Sequence, residues 1–178
     1  MEIETMRSGT LFAITALACL AVPAAAMAQG CPSAAAAELP PELEGWATRT
    51  PLAAASDAQG LAQAMLEPGS AVDAQLVSTS AITYPVRPEK PGGSVSFGGL
   101  FAFTVAQPGT YRIGIGSGAW IDVVGPDGAV VESTAHGHGP ECSGISKMVD
   151  FPLEAGSYIL QIAANGENRL PVMVARLP

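Results

Sequence analysis

From Pro68-Gly69 onward, apolar and polar residues alternate in short runs punctuated by Gly and Pro, the rhythm of an all-β sandwich or barrel. Ala71–Val77 and Ala81–Val86 are the first two expected strands. Arg87-Pro88-Glu89-Lys90-Pro91-Gly92-Gly93 follows and reads as a surface loop, because each proline fixes φ and removes a ladder donor. The clearest alternation is Phe97, Phe101, Phe103 and Val105 on one face against Ala102 and Thr104 on the other. After Gln107-Pro108-Gly109, Tyr111, Ile113 and Ile115 alternate with Arg112 and Gly114, a pattern that predicts a hairpin with the preceding strand. Trp120–Val124, the turn Gly125-Pro126-Asp127-Gly128 and Ala129–Ser133 predict a second hairpin. Met148–Leu153, a turn at Glu154-Ala155-Gly156, the alternation of Tyr158, Leu160 and Ile162, and Leu170–Val174 after Asn165-Gly166 bring the total to about nine strands. The expected fold is all-β: a single jelly-roll-like antiparallel β-sandwich spanning 68–178.

Residues 29–67 lack that rhythm and predict a mostly irregular arm. It is Ala-rich, contains Pro40-Pro41, and offers one weak helix in which Ser56 and Gln59 form a capping box before Leu61, Ala62, Met65 and Leu66. Gly60 weakens that helix. Trp46, beside Leu43, is expected to pack onto the domain as a core or lid residue. Ahead of the arm, residues 1–28 resemble a secretory signal peptide: Arg7 is the positive region, Leu11–Val22 the apolar run, and Ala26-Met27-Ala28 the cleavage site. Glu2 and Glu4 are unusual in such a segment, so Met6 is an alternative start to Met1. The apolar run is short for a membrane span, and no transmembrane anchor is expected. The implied location is periplasmic or secreted, and the mature chain would begin at Gln29.

Charge and cysteine content narrow the partners. A formal charge of −8 disfavours nucleic acid and anionic lipid. Of three cysteines, Cys19 falls in the signal segment, leaving Cys31 and Cys142 as an even pair in an oxidising compartment. A disulfide between them would stabilise the fold by about 4–5 kcal/mol in the chain-entropy view. The rival is a lipid anchor on Cys31, since Ala28-Gln29-Gly30-Cys31 faintly resembles a lipobox, although Gln29 and the missing Leu disfavour it.

The order Phe101-Ala102-Phe103-Thr104-Val105, Pro108-Gly109-Thr110-Tyr111, Trp120-Ile121-Asp122-Val123-Val124, Pro126-Asp127-Gly128 and Leu153-Glu154-Ala155-Gly156-Ser157-Tyr158 resembles the bacterial pre-peptidase C-terminal domain. The resemblance covers roughly Ser96–Ala163. It implies a jelly-roll-like sandwich without catalytic residues that accompanies secreted enzymes or binds polymers and partners. It also places Asp122 near acidic positions that sometimes bind calcium, but one carboxylate cannot supply six to eight oxygens, so no calcium is expected.

Both histidines stand in Ala135-His136-Gly137-His138-Gly139-Pro140-Glu141-Cys142, where this chain departs from that family. Histidines at i and i+2 of an extended segment share a side and could meet one ion. Zn or Cu would accept them with Cys142, Glu141 or Asp122 as a third ligand, and His136, His138 and Glu141 could form the two-His, one-carboxylate set of an Fe oxygenase. That set resembles a shortened cupin motif, with too few residues between His138 and Glu141 and no second motif. The expected reading is a solvated Gly-rich loop with no cofactor, and the Zn, Cu or Fe sets are its alternatives.

Other chemistry finds no motif. Gly114-Ile115-Gly116-Ser117-Gly118 leads into a strand, and there it makes room for neighbouring backbone. Arg112, Lys147, Asp150 and Arg176 read as solvated face or rim charges.

The leading expectation is an exported non-enzymatic module that binds a ligand, a metal or an envelope partner through the His136–Cys142 loop, with Trp120 and Asp122 as a ligand face. The alternatives are a cupin-like metal-dependent dioxygenase and a purely structural envelope protein. Native mass spectrometry of the protein from its own envelope checks the chemistry. The expected mass is that of Gln29–Pro178 less two hydrogens. An added lipid on Cys31 or a stoichiometric metal would contradict it.

Overall fold

The computed structural model of the chain describes Cys31 and residues 38–178; the expected signal segment lies outside them. Among the described residues, eleven strands form two facing sheets: β1 (Arg49–Ala53), β2 (Met65–Leu66), β3 (Ala71–Gln75), β4 (Val77–Ser78), β5 (Phe97–Val105), β6 (Gly109–Ile115), β7 (Trp120–Val124), β8 (Ala135–Gly137), β9 (Lys147–Leu153), β10 (Gly156–Asn165) and β11 (Arg169–Arg176). One sheet runs β1-β3-β11-β6-β9-β8 and the other β2-β5-β10-β7, with β4 also on β5.

The inward residues of β5, β6 and β10 are those the alternation marked. Phe101, Phe103, Tyr111, Ile113, Phe151, Leu160, Ile162, Val172 and Val174 form one core between the sheets. Phe103 and Tyr158 stack with ring centroids 5.6 Å apart. The two Gly-x-Tyr motifs have a common role. Tyr111 Oη donates to the Gln107 carbonyl at 2.9 Å and Tyr158 Oη to the Glu154 carbonyl at 3.0 Å, so each ring enters the core while its hydroxyl closes the preceding turn.

The expected first hairpin does not form. β5 pairs with β10, from Val105 opposite Gly156 to Phe97 opposite Asn165, whereas β6 pairs with β9 and β11. The turn at Pro108-Gly109 carries the chain from one sheet to the other, so the two apolar faces meet across the core instead of lying side by side. Alternation marks which face is buried and leaves the pairing partner open. The second hairpin is reduced to an isolated bridge between Val124 and Val130, with Val131 N–H donating to Val123 at 2.8 Å. Of Ala81–Val86, only Ala81 lies in an element, a short 3₁₀ turn at Thr79–Ala81.

The arm is more ordered than its composition suggests. β1 and β2 join the sheets in parallel, on β3 and β5, so the sandwich is mixed and not purely antiparallel. The weak helix is a 3₁₀ turn, Ala58–Gln63, capped by Asp57 and not Ser56: its carboxylate accepts from Gln59 N–H at 2.9 Å and Gly60 N–H at 3.1 Å. A second 3₁₀ turn, Pro41–Ala47, places Leu43 and Trp46 over the outer face of the six-stranded sheet against Ala71, Ile145, Met173 and Ala175. Gly45 is required there, since a Cβ would strike the Gly69 carbonyl.

Arg112 and Asp150, opposite one another on β6 and β9, are not solvated rim charges. They form a two-bond ion pair at 2.7 and 2.8 Å on the outer face of that sheet, with Glu42 of the arm 3.6 Å from the guanidinium. The pair sits under the arm, which the local sequence of either strand does not reveal.

Leu160 is fully buried in the core. Leu160→Ala is expected to destabilise the fold by about 3 kcal/mol in urea unfolding, whereas exposed Thr104→Ala should stay within about 0.5 kcal/mol of the parent.

Candidate binding groove

The free edges of the two sheets, β7 and β8, lie on the same side of the sandwich and border a hollow of about 650 Å³. β7 contributes Trp120, Ile121 and Asp122; β8 contributes His136; β9 contributes Lys147, Val149 and Phe151; and the return after β7 contributes Val130, Val131 and Glu132. Arg87, Glu89 and Lys90 close it from the Pro-rich loop.

That loop is held in place by one buried side chain. Gln161 on β10 accepts from Val86 N–H at 3.1 Å and donates to the Val86 carbonyl at 3.0 Å, serving as a backbone partner to a segment without a strand. Tyr84 Oη adds a bond to the Ile162 carbonyl at 2.9 Å. Burial, then the charge of Asp122, pushes the Tyr84 phenol up to about 12. The loop therefore delivers Lys90 to the groove at a defined place.

At the groove's centre is the Trp120 indole. Its Nε1 donates to Asp122 Oδ1 at 2.9 Å. The ammonium groups of Lys90 and Lys147 lie 5.2 and 5.7 Å from its ring centroid, within cation–π range. Lys147 Nζ also donates to the Ala119 carbonyl at 3.0 Å. Burial lowers the Lys147 pKa below its ordinary value, and Lys90 pushes the same way against the opposing pull of Asp122. Burial raises the Asp122 pKa, helped by Glu89; hydrogen bonding from Trp120 and Gln161 and the charge of Lys147 oppose the rise.

The histidine loop divides. His136 is exposed and lines the groove, but His138 does not: its Nδ1 lies 2.8 Å from the Ser146 carbonyl. Glu141 is exposed and also stands outside the groove. Among the described residues, no three His, Cys, Asp or Glu side chains are arranged to hold a metal ion. The expected set of His136, His138 and Glu141, for Zn, Cu or Fe, is therefore not assembled. His138 has turned to its own loop's backbone, and the loop bends at Gly139, whose N–H donates to the Ile145 carbonyl at 3.2 Å.

Cys142 is engaged elsewhere. Its sulfur lies at disulfide-bonding distance from that of Cys31, with the Cα atoms 5.4 Å apart. Cys142 has φ 60°, and Ser143 next to it accepts from Trp46 Nε1 at 2.9 Å through its carbonyl. The loop is thus held against the arm.

Of the residues singled out in the sequence, Trp120, Asp122 and His136 come together. Lys90 was expected only as part of a surface loop and Lys147 as a solvated rim charge; the chain's two lysines instead both line the groove, Lys147 half-buried. Fold and site together define a β-sandwich with a lateral groove built on an aromatic ring and two ammonium groups. No protein-family model matches the sequence, and no curated protein matches it. Among the described residues, no helix is long and apolar enough to cross a membrane.

The raised Asp122 pKa has a consequence for stability. Between its ordinary value and its higher folded value, the folded protein binds more protons than the unfolded chain, so stability falls as pH rises through that window. Asp122→Asn keeps an acceptor for Trp120 Nε1 but cannot titrate. Urea unfolding across this pH range should show a flatter dependence for the variant, and an unchanged slope would contradict the assignment.

Proposed function

We propose that this chain is an exported, non-enzymatic β-sandwich module that binds a ligand in the groove at Trp120. The observation that carries the reading is the convergence of Trp120, Asp122, Lys90 and Lys147, from three separate segments, on one concave site of about 650 Å³. That volume suits a small molecule, and an apolar lining with a few placed polar groups is how such sites orient one. The site sits beside the histidine loop and takes only His136 from it.

Export is supported by the signal-like first 28 residues and by the Cys31–Cys142 pair, which suits an oxidising compartment. A disulfide at Cys31 excludes a lipid on the same sulfur. Kinship with pre-peptidase C-terminal domains is part of the proposal: the strands that carry the resemblance are β5, β6, β7 and β10, and β7 builds the groove.

The test uses the indole N–H signals of Trp120 and Trp46, assigned by substitution. A fragment set of neutral sugars, amines and carboxylic acids should contain binders that shift the Trp120 signal, leave Trp46 in place and lose binding in Trp120→Ala. A set that leaves Trp120 unmoved would favour the purely structural reading.

A further inference from the structure

We infer that the groove takes a small amphipathic carboxylate, its anionic head held by Lys90 and Lys147 and its apolar body lying on Val130, Val131 and Ile121. This rests on the binding reading above and names its ligand class.

The first ground is the placement of charge. The chain has 16 acidic residues against 8 basic ones, yet its only two lysines both lie within cation–π range of one indole ring. Bringing two ammonium groups together opposes folding unless something negative compensates. Among the described residues, ion pairs join Arg49 to Asp73 and Arg112 to Glu42 and Asp150, and none joins a carboxylate to either lysine within 4.0 Å. The charge of Asp122 offsets part of the repulsion at Lys147, but its Oδ1 accepts from Trp120 Nε1 and it makes no ion pair with either lysine. An ammonium has three donors, and Lys147 uses one on the Ala119 carbonyl. Donor capacity for an anion therefore remains on both lysines.

The second ground limits that anion. Glu89 and Glu132 also line the hollow, so a polyanion or a doubly charged phosphate would meet repulsion at its rim. A single carboxylate, with one charge, meets less of that repulsion and can accept from the free lysine donors. The third ground is the apolar wall. Val130 is one of three large hydrophobic residues exposed among those described, at 43 %, and it stands beside Val131 and Ile121 in the same hollow. A ligand with an apolar body would cover it; a free inorganic anion would leave it wet.

The experiment titrates the purified protein with octanoate and with octanamide, its neutral counterpart, by calorimetry and by the Trp120 indole N–H signal. Octanoate should bind about tenfold or more tightly than octanamide, as charge-assisted bonds imply, and the preference should shrink at high salt. It should vanish in the Lys90→Gln, Lys147→Gln double variant. Lys90 is exposed on its loop, so Lys90→Gln alone serves if the double variant does not fold, and should narrow the preference. Equal binding of acid and amide, or a preference that survives in the folded variants, overturns the carboxylate assignment. Shifts at Trp120 with a neutral sugar but not with octanoate overturn it while leaving the binding reading intact. No shift with any fragment removes both.

Discussion

The mutual burial of two apolar faces governs this structure. Phe101, Phe103, Leu160 and Ile162 of one sheet close against Tyr111, Ile113, Phe151 and Val174 of the other, and the chain crosses between sheets at Pro108-Gly109 and again at Glu154-Ala155-Gly156. Each crossing places consecutive strands on opposite sides of the core. β7 and β8 are the last strands of the two sheets on one side of the sandwich, β7 bridged only to Val130 beyond it, and the groove is the space beside them. Its floor is therefore inherited from the core, since Ile121, Val149 and Phe151 belong to both.

The groove's rim follows a different logic. Asp122 and Lys147 each pay a desolvation penalty, seen in the raised carboxyl and the lowered ammonium. Trp120 links them, donating its indole N–H to one and presenting its ring to the other. Desolvating each of these groups opposes its charged form, and groups shifted in this way by burial and charged neighbours concentrate at functional sites. The Pro-rich loop adds Lys90 because Gln161 replaces the missing strand partner at Val86.

The arm works on the far face of the six-stranded sheet. Leu43 and Trp46 cover Met173 and Ala175, Glu42 approaches the Arg112–Asp150 pair, and Trp46 Nε1 holds the loop at Ser143. Cys31 and Cys142 fasten the same two segments a second time. The histidine loop, which from its composition invites a metal reading, is occupied with these contacts.

Local preference is the layer of this fold that can be read along the chain. Alternation of apolar residues marked the buried faces of β5, β6 and β10, Gly and Pro marked the turns, and the cysteine count pointed to the Cys31–Cys142 pair. These are legible because side-chain direction in a strand has a period of two and turn conformations demand particular residues. Pairing partners were decided only by tertiary structure: an alternating strand fits equally beside its neighbour in sequence or across the core from it, so β5 and β6 gave no sign of being in different sheets. The groove escaped for the same reason. Trp120, Asp122 and His136 carried their own chemical signals, but Lys90 and Lys147 acquire theirs from a shared indole ring, and Gln161 from a backbone far away in sequence. His138 and Glu141 show the converse, since short spacing along the chain did not survive the loop's bending toward Trp46 and Cys31.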